Sequence, residues 1–299
     1  MNKQKTLKTE IGCSGIALHS GKKTVLTLKP AEANTGIRVN RIDLLNGARE
    51  IAVSWRNVVD TQLATTVGND HGATIGTIEH LMAALAGCEI DNVLIEVDGP
   101  EIPIMDGSAA PFVFLIECAG IAEQTAPRSA IKILQPITVG DNTRSLSVKP
   151  FDEFRINFEI DFSSAAIACQ QHRLAQLGKT FKVDISRART FGFEEDVDAL
   201  RKAGLVLGGS LDNAVVISDD KVLNKGGLRY EDEFVRHKIL DCIGDLYLAG
   251  SPIIGDIQAS KSGHELNHQL LKAIFAKDGA WTRIDAPTDR VLEPNANTG

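Results

Sequence analysis

The chain carries seven histidines, His19, His71, His80, His172, His237, His264 and His268, and three groupings around them have spacing that could do chemistry. His264-Glu265-Leu266-Asn267-His268 is a literal H-E-x-x-H, which on a helix sets two imidazoles on one face to bind zinc with the glutamate as base. A zincin needs a third ligand, and beyond His268 the only glutamate is Glu293, beside Pro294 in what reads as tail. The bland alternative is an exposed first helical turn after Ser262-Gly263, with His268 solvated or capping its neighbours. The second grouping is His237-Lys238-Ile239-Leu240-Asp241, where i and i+4 put imidazole and carboxylate on one helical face. Such a pair chelates a divalent metal or forms a plain surface ion pair. Asp245 lies one turn further on, and two stacked carboxylates repel unless a metal serves one and a protonated histidine the other. The third grouping is Glu79-His80. Adjacent helical positions point roughly 100° apart, so this pair suits one ligand with one base beside it. Taken singly, His80 among Ile78, Leu81 and Met82 is also a satisfied core histidine.

If the helices bearing these groups face each other, His80, His237 and Asp241 supply two nitrogens and one oxygen. That set leaves a fourth position open, as catalytic zinc requires. Glu79 could take a proton from water and a further histidine could give one to a leaving group. The chemistry is metal-assisted hydrolysis.

The elements that must position these groups can be read in the pattern. Thr24 to Leu28 and Ile51 to Trp55 are the clearest early strands, broken by turns such as Asn34-Thr35-Gly36. Thr77 to Ala86 reads as a helix stopped by Gly87, Asn92 to Val97 as a buried strand, and Ala109 to Ala119 as a helix between Ser108 and Gly120. The polar, proline-containing Glu123 to Ser129 is placed as a linker. The second half repeats the order: strands at Ile131 to Leu134, Ser145 to Val148 and Arg155 to Phe162, a helix from Glu231 to Ala249, a strand at Ile253 to Ala259, and a helix from His264 to Ala276. The fold class expected is α+β. Two structurally similar sheet-plus-helix domains, 1–126 and 127–284, pack with their helices facing, and an insertion at about 185–209 carries a helix around Asp196 to Ala203. Residues 285–299, with Pro287 and Pro294, are expected as a solvated tail.

Composition narrows the classes. At about 150 residues per domain, 299 residues favour two compact domains. Hydrophobic residues at 43% and charged residues at 24% are ordinary for a globular chain. A net charge of −7 repels phosphate backbones, so nucleic acid is not an expected partner. No run approaches the roughly 20 apolar residues of a spanning helix, and the N-terminus lacks the apolar segment of a secretory signal; a cytoplasmic protein is expected. The five cysteines are scattered and never in a C-x-x-C pair, against a disulfide framework or thiolate site, and most are expected as small buried hydrophobes.

Six motifs in order extend the reading. Thr77-Ile78-Glu79-His80-Leu81, the run Glu96 to Ser108 (EVDGPEIPIMDGS), Ser186 to Phe193 (SRARTFGF), Gly208 to Ala214 (GGSLDNA), Arg236 to Asp241 (RHKILD) and Lys261-Ser262-Gly263-His264 together closely resemble UDP-3-O-acyl-N-acetylglucosamine deacetylase of bacterial lipid A biosynthesis. The resemblance spans about Thr6 to Phe275. It implies a zinc amidase of Gram-negative bacteria that removes acetate from the glucosamine 2-amide of an acylated UDP-amino sugar, the committed step toward lipid A. By this likeness His80, His237 and Asp241 hold the zinc and Glu79 is the general base. His264 is the cation and general acid, oriented by Asp245, and Thr190 bonds the developing oxyanion. Lys238 and Lys261 would approach the diphosphate, and Phe162 would stack on uracil. Phe191, Phe193, Ala203, Leu205 and Leu18 would line the acyl passage, and His19 would lie near the nucleotide. The H-E-x-x-H then contains an acid, not a ligand pair.

One position departs from the family. Ala64 stands where some members carry a cysteine close to the metal, so a thiolate contact there is not expected. A second class of function is a non-catalytic protein that has kept the nucleotide and acyl pockets. Glu79 separates the two, because a binder has no need of a base beside a metal.

Overall fold

The computed structural model describes residues 2–45 and 47–286. In the first half, alternating apolar residues build a five-stranded sheet in the order Ile11–Ile16, Lys23–Pro30, Val93–Val97, Ile37–Arg41, Glu50–Ala52. Leu26, Leu28, Val39, Ile51, Ile95 and Val97 all point from it into the core, as a period of two demands. In the second half, Ile253–Ser260 is the organising strand. It runs parallel to both Ser129–Ile133 and Phe154–Asp161 and antiparallel to Ser145–Lys149. Ile137–Gly140, Cys169–Ala175 and Trp281–Asp285 complete a seven-stranded sheet.

Among the described residues six helices follow in chain order: α1 (Glu79–Gly87), α2 (Ala110–Ala119), α3 (Leu177–Asp184), α4 (Glu194–Lys202), α5 (Glu233–Tyr247) and α6 (His264–Ala276). The α+β class is as expected, with α2 packed on the first sheet and α1 beside it, α5 and α6 on the second sheet, and α1 packed along α5. Gly244 makes that contact close: a Cβ at this position of α5 would collide with the main-chain carbonyl of Glu79 on α1. Among the described residues no helix is long and apolar enough to cross a membrane.

Several expectations change in detail. Most of the segment read as a linker is strand Ile121–Pro127, antiparallel to Lys3–Leu7. Its exposed and half-buried residues alternate, so it holds by main-chain pairing and lacks the apolar face that marks a strand in sequence. The strand expected at Ile51 to Trp55 ends at Ala52, and Trp55–Asn57 forms a 3-10 turn. The inserted segment carries α4 and strand Phe191–Phe193, but its sheet is completed beyond residue 209 by Val215–Ser218 and Lys221–Val222. Asp285, placed in the tail, closes strand Trp281–Asp285 opposite Ser129, and Ala286 is buried; the remainder of that tail, residues 287–299, lies outside the described residues. All five cysteines are free, yet only Cys88 and Cys242 are buried, while Cys118 and Cys169 are exposed.

Candidate active site

Helix α1 is buried along its whole length, so it takes Glu79 and His80 into the interior with its apolar residues. Its entry is strained. Thr77 has φ +55°, a value that β-branched residues seldom adopt. The Thr77 hydroxyl donates to Glu101 at 3.0 Å, and the same buried carboxylate accepts the main-chain N–H groups of His19 and Ser20 at 2.8 and 3.1 Å. One acid thus fixes both the start of α1 and the loop holding Leu18 and His19.

Helix α5 presents His237 and Asp241 one turn apart toward α1. The Nε2 atoms of His237 and His80 lie 3.3 and 3.6 Å from Asp241 Oδ1, and the candidate ligand atoms of the three residues all fall within 4.8 Å of one another. Asp241 Oδ1 is buried and has no hydrogen-bond partner. A buried carboxylate oxygen facing two imidazole nitrogens fits a divalent ion, which bonds such donors at about 2.0–2.2 Å. The outer contacts are set: His237 Nδ1 faces the Ala188 carbonyl at 3.1 Å, and Lys238 Nζ donates to Asp241 Oδ2 at 2.6 Å. Burial lowers the His237 pKa to about 4, which keeps it neutral and able to ligate. Burial opposes the Asp241 charge, but His237 and Lys238 outweigh it and hold the carboxyl well below the ordinary range.

The residues expected as base and acid surround this cluster. Burial raises the Glu79 pKa, and Glu79 Oε2 accepts the Thr65 N–H at 2.9 Å. His264, the first residue of α6, sets Nδ1 2.8 Å from Asp245 Oδ2. Burial disfavours the imidazolium, but the charge and hydrogen bond of Asp245 prevail and raise its pKa to about 9. Asp245 also accepts from the Thr65 hydroxyl at 2.6 Å on Oδ1 and from the Asn267 amide at 2.8 Å on Oδ2. A candidate base and a charged candidate acid, both with pKa values raised, flank one candidate metal-ligand set.

The segment bearing Thr190 is anchored from α5. Glu233, fully buried, pairs with Arg189 at 2.8 Å and also accepts the N–H groups of Arg189 and Arg229. Thr190 N–H donates to the Gly107 carbonyl, and its own carbonyl accepts from Val215. Phe191 lies edge-on to Phe162, Phe234 and His237, at centroid distances of 5.8, 5.0 and 6.3 Å. Phe193 joins Phe162 at 6.1 Å, so the three aromatic candidates form one wall beside the ligand cluster. Leu18 and His19 offer their carbonyls to Gly208 and Leu207 of the inserted segment. Both ring nitrogens of His19 are buried without a partner.

Two expectations fare differently. Lys238 is committed to Asp241 and does not stand free toward a phosphate; Lys261, half in solvent, is paired with Asp161 at 2.7 Å. In the H-E-x-x-H the two imidazoles diverge: His264 turns to Asp245 while His268, half-buried, donates from Nε2 to the Trp55 carbonyl at 2.9 Å instead of capping its neighbours. Glu265 pairs outward with Arg144. Thr65 and Asn267 escaped the sequence reading. Thr65 lies 180 positions from Asp245, a separation with no local signal, and Asn267 occupies an unspecified position of the H-E-x-x-H.

The LpxC family model, described as UDP-3-O-acyl N-acetylglycosamine deacetylase, matches residues 4–276. A UDP-3-O-acyl-N-acetylglucosamine deacetylase of Acidithiobacillus ferrooxidans is 50% identical over 287 residues, 95% of this chain and 94% of the relative. Proteins of the same name from Shewanella halifaxensis and Vibrio parahaemolyticus are 53% and 51% identical, over 93% and 94% of this chain and 91% and 92% of their own lengths. With facing helices that bring the ligand, base and acid candidates into one buried cluster, and with similarity along nearly its whole length, this chain belongs to the LpxC family of deacetylases.

Proposed function

We propose that the protein hydrolyses the 2-acetamido group of a UDP-3-O-acyl-N-acetylglucosamine, releasing acetate and the free amine, with zinc held by His80, His237 and Asp241. The observation that carries this reading is the unpartnered, buried Asp241 Oδ1 facing the Nε2 atoms of two histidines from facing helices. When bound, the ion supplies Lewis-acid chemistry that draws charge from the amide oxygen and acidifies water within reach.

The chain's own residues supply the rest. Glu79, made more basic by burial and oriented by the Thr65 N–H, takes the proton of the attacking water. As the carbonyl oxygen charges, the Thr190 hydroxyl is the donor assigned to it; loss of one such donor typically costs about 10²–10³ in rate. His264, charged through Asp245, gives its proton to the departing amine, without which an amide expels a poor leaving group. Phe191 and Phe193, with Leu18 on the loop bonded to the inserted segment, offer apolar surface for the acyl chain, where each buried CH₂ contributes about 0.8 kcal/mol, and Phe162 beside them is the candidate to stack on uracil. Lys261 is the candidate for the diphosphate.

The test is acetate release from the acylated UDP-sugar by purified protein. One acetate per free amine, lost in Glu79→Gln with metal retained, supports a hydrolase. Tight binding without acetate release would make it a binding protein instead.

A further inference from the structure

Asp245 is a shared acceptor. An ionised carboxylate has about four lone-pair sites, and here three are taken: the Thr65 hydroxyl on Oδ1 at 2.6 Å, and His264 and the Asn267 amide on Oδ2, both at 2.8 Å. Thr65 and Asn267 are almost wholly buried, and Asn267 is itself oriented by the Ser262 hydroxyl at 3.1 Å. Thr65 has a second bond that crosses the site, from its main-chain N–H to Glu79 Oε2 at 2.9 Å. A single residue therefore touches the base on α1 and the partner of the acid on α5, with its hydroxyl oxygen also 3.4 Å from His264 Nδ1.

We propose that Thr65 is a positioning residue that ties base to acid: its N–H orients Glu79, and its hydroxyl, with the Asn267 amide, shares the Asp245 carboxylate with His264. This role rests on the deacetylase reading for its consequence in turnover, while its effect on His264 does not depend on substrate.

The physical consequence has a definite sign. Donors competing for one carboxylate each draw off part of its charge. When the hydroxyl is removed, Asp245 is less well satisfied and holds the His264 proton more tightly. An acid that holds its proton too tightly transfers it more slowly. The charged groups acting on His264 are Asp245 and Asp241 from α5 and Glu79 from α1, while its neighbour Glu265 is engaged by Arg144. The Thr65 oxygen also lies 3.4 Å from His264 Nδ1, a contact long beside the 2.8 Å bond to Asp245 Oδ2, so the donor lost from the carboxylate sets the sign.

Thr65→Val is close in shape, keeps the N–H on Glu79 and deletes only the hydroxyl. In this variant His264, followed by NMR of its imidazole in the full-length protein, should titrate at higher pH than in the wild type. kcat for acetate release should fall about tenfold with KM nearly unchanged, and Thr65→Ser should restore both. If Thr65→Val does not fold, Asn267→Ala removes the other neutral donor and should move the His264 titration in the same direction. A His264 titration that stays in place or falls, or a raised titration with kcat unaltered, would overturn the proposal. Wild-type protein that releases no acetate would instead overturn the deacetylase reading and leave the NMR titration to decide the role of Thr65.

Discussion

At His264 two opposing effects meet, and their balance sets the pH behaviour. Burial works against the imidazolium, yet Asp245 wins and lifts its pKa to about 9. Activity should therefore persist on the basic side until about pH 9, and Asp245→Asn should draw that limb down toward the ordinary histidine value of about 6.5 while lowering the rate. An unchanged profile would reject the pairing. The same shift bears on stability. A folded-state pKa above the unfolded value gives a contribution fully present below about pH 6.5 and lost as the pH rises through about 9. Denaturation midpoints should accordingly fall across that window in the wild type and less so in His264→Asn. His268 behaves differently: its bond is to the Trp55 carbonyl, so His268→Ala should keep metal and activity at a stability cost of about 1 kcal/mol. Metal lost in that variant alone would revive the zincin. Asp241 to His237 was legible at this scale because i, i+4 is a local spacing. The Thr65 bonds were not, since only the folded chain brings residue 65 to 245.

Among the elements, the decisive pair is α1 and α5. Their separation is set at Gly244, where any Cβ meets the Glu79 carbonyl. Gly244→Ala should therefore push the helices apart, lowering stability by about 1–3 kcal/mol and weakening metal binding, read by thermal denaturation and metal content. Stability and metal both unchanged would show that the close approach does not set the site. The inserted segment has its own anchor in the buried Arg189–Glu233 pair. Removing one partner of a buried pair leaves an uncompensated charge, typically a loss of about 3–5 kcal/mol. Arg189→Met should thus unfold or loosen the segment carrying Thr190. Helix α6 was legible to the residue because Ser262-Gly263 breaks the chain before an amphipathic run. Strand Ile121–Pro127 was not, because both of its faces are wet and its polar residues mimic a linker.

For the whole molecule, the two halves matter because neither holds all the candidate groups: Glu79 and His80 come from one, His237, Asp241 and His264 from the other. The α+β architecture was legible from the repeated order of strands and helices, whereas the pairing of Lys3–Leu7 with Ile121–Pro127 depends on a main-chain contact that residue types do not signal. A ligand that binds only the folded state stabilises it by about 2.7 kcal/mol at a hundredfold excess over Kd, so zinc added to chelator-treated protein should raise Tm. The most direct measurement combines metal content with acetate release for wild type and the alanine variants of His80, His237 and Asp241. One zinc per wild-type chain, with both zinc and turnover lost in each variant, is the expected result. Zinc retained at full stoichiometry in those variants, or acetate released at the wild-type rate without it, would contradict the shared metal site between the two helices.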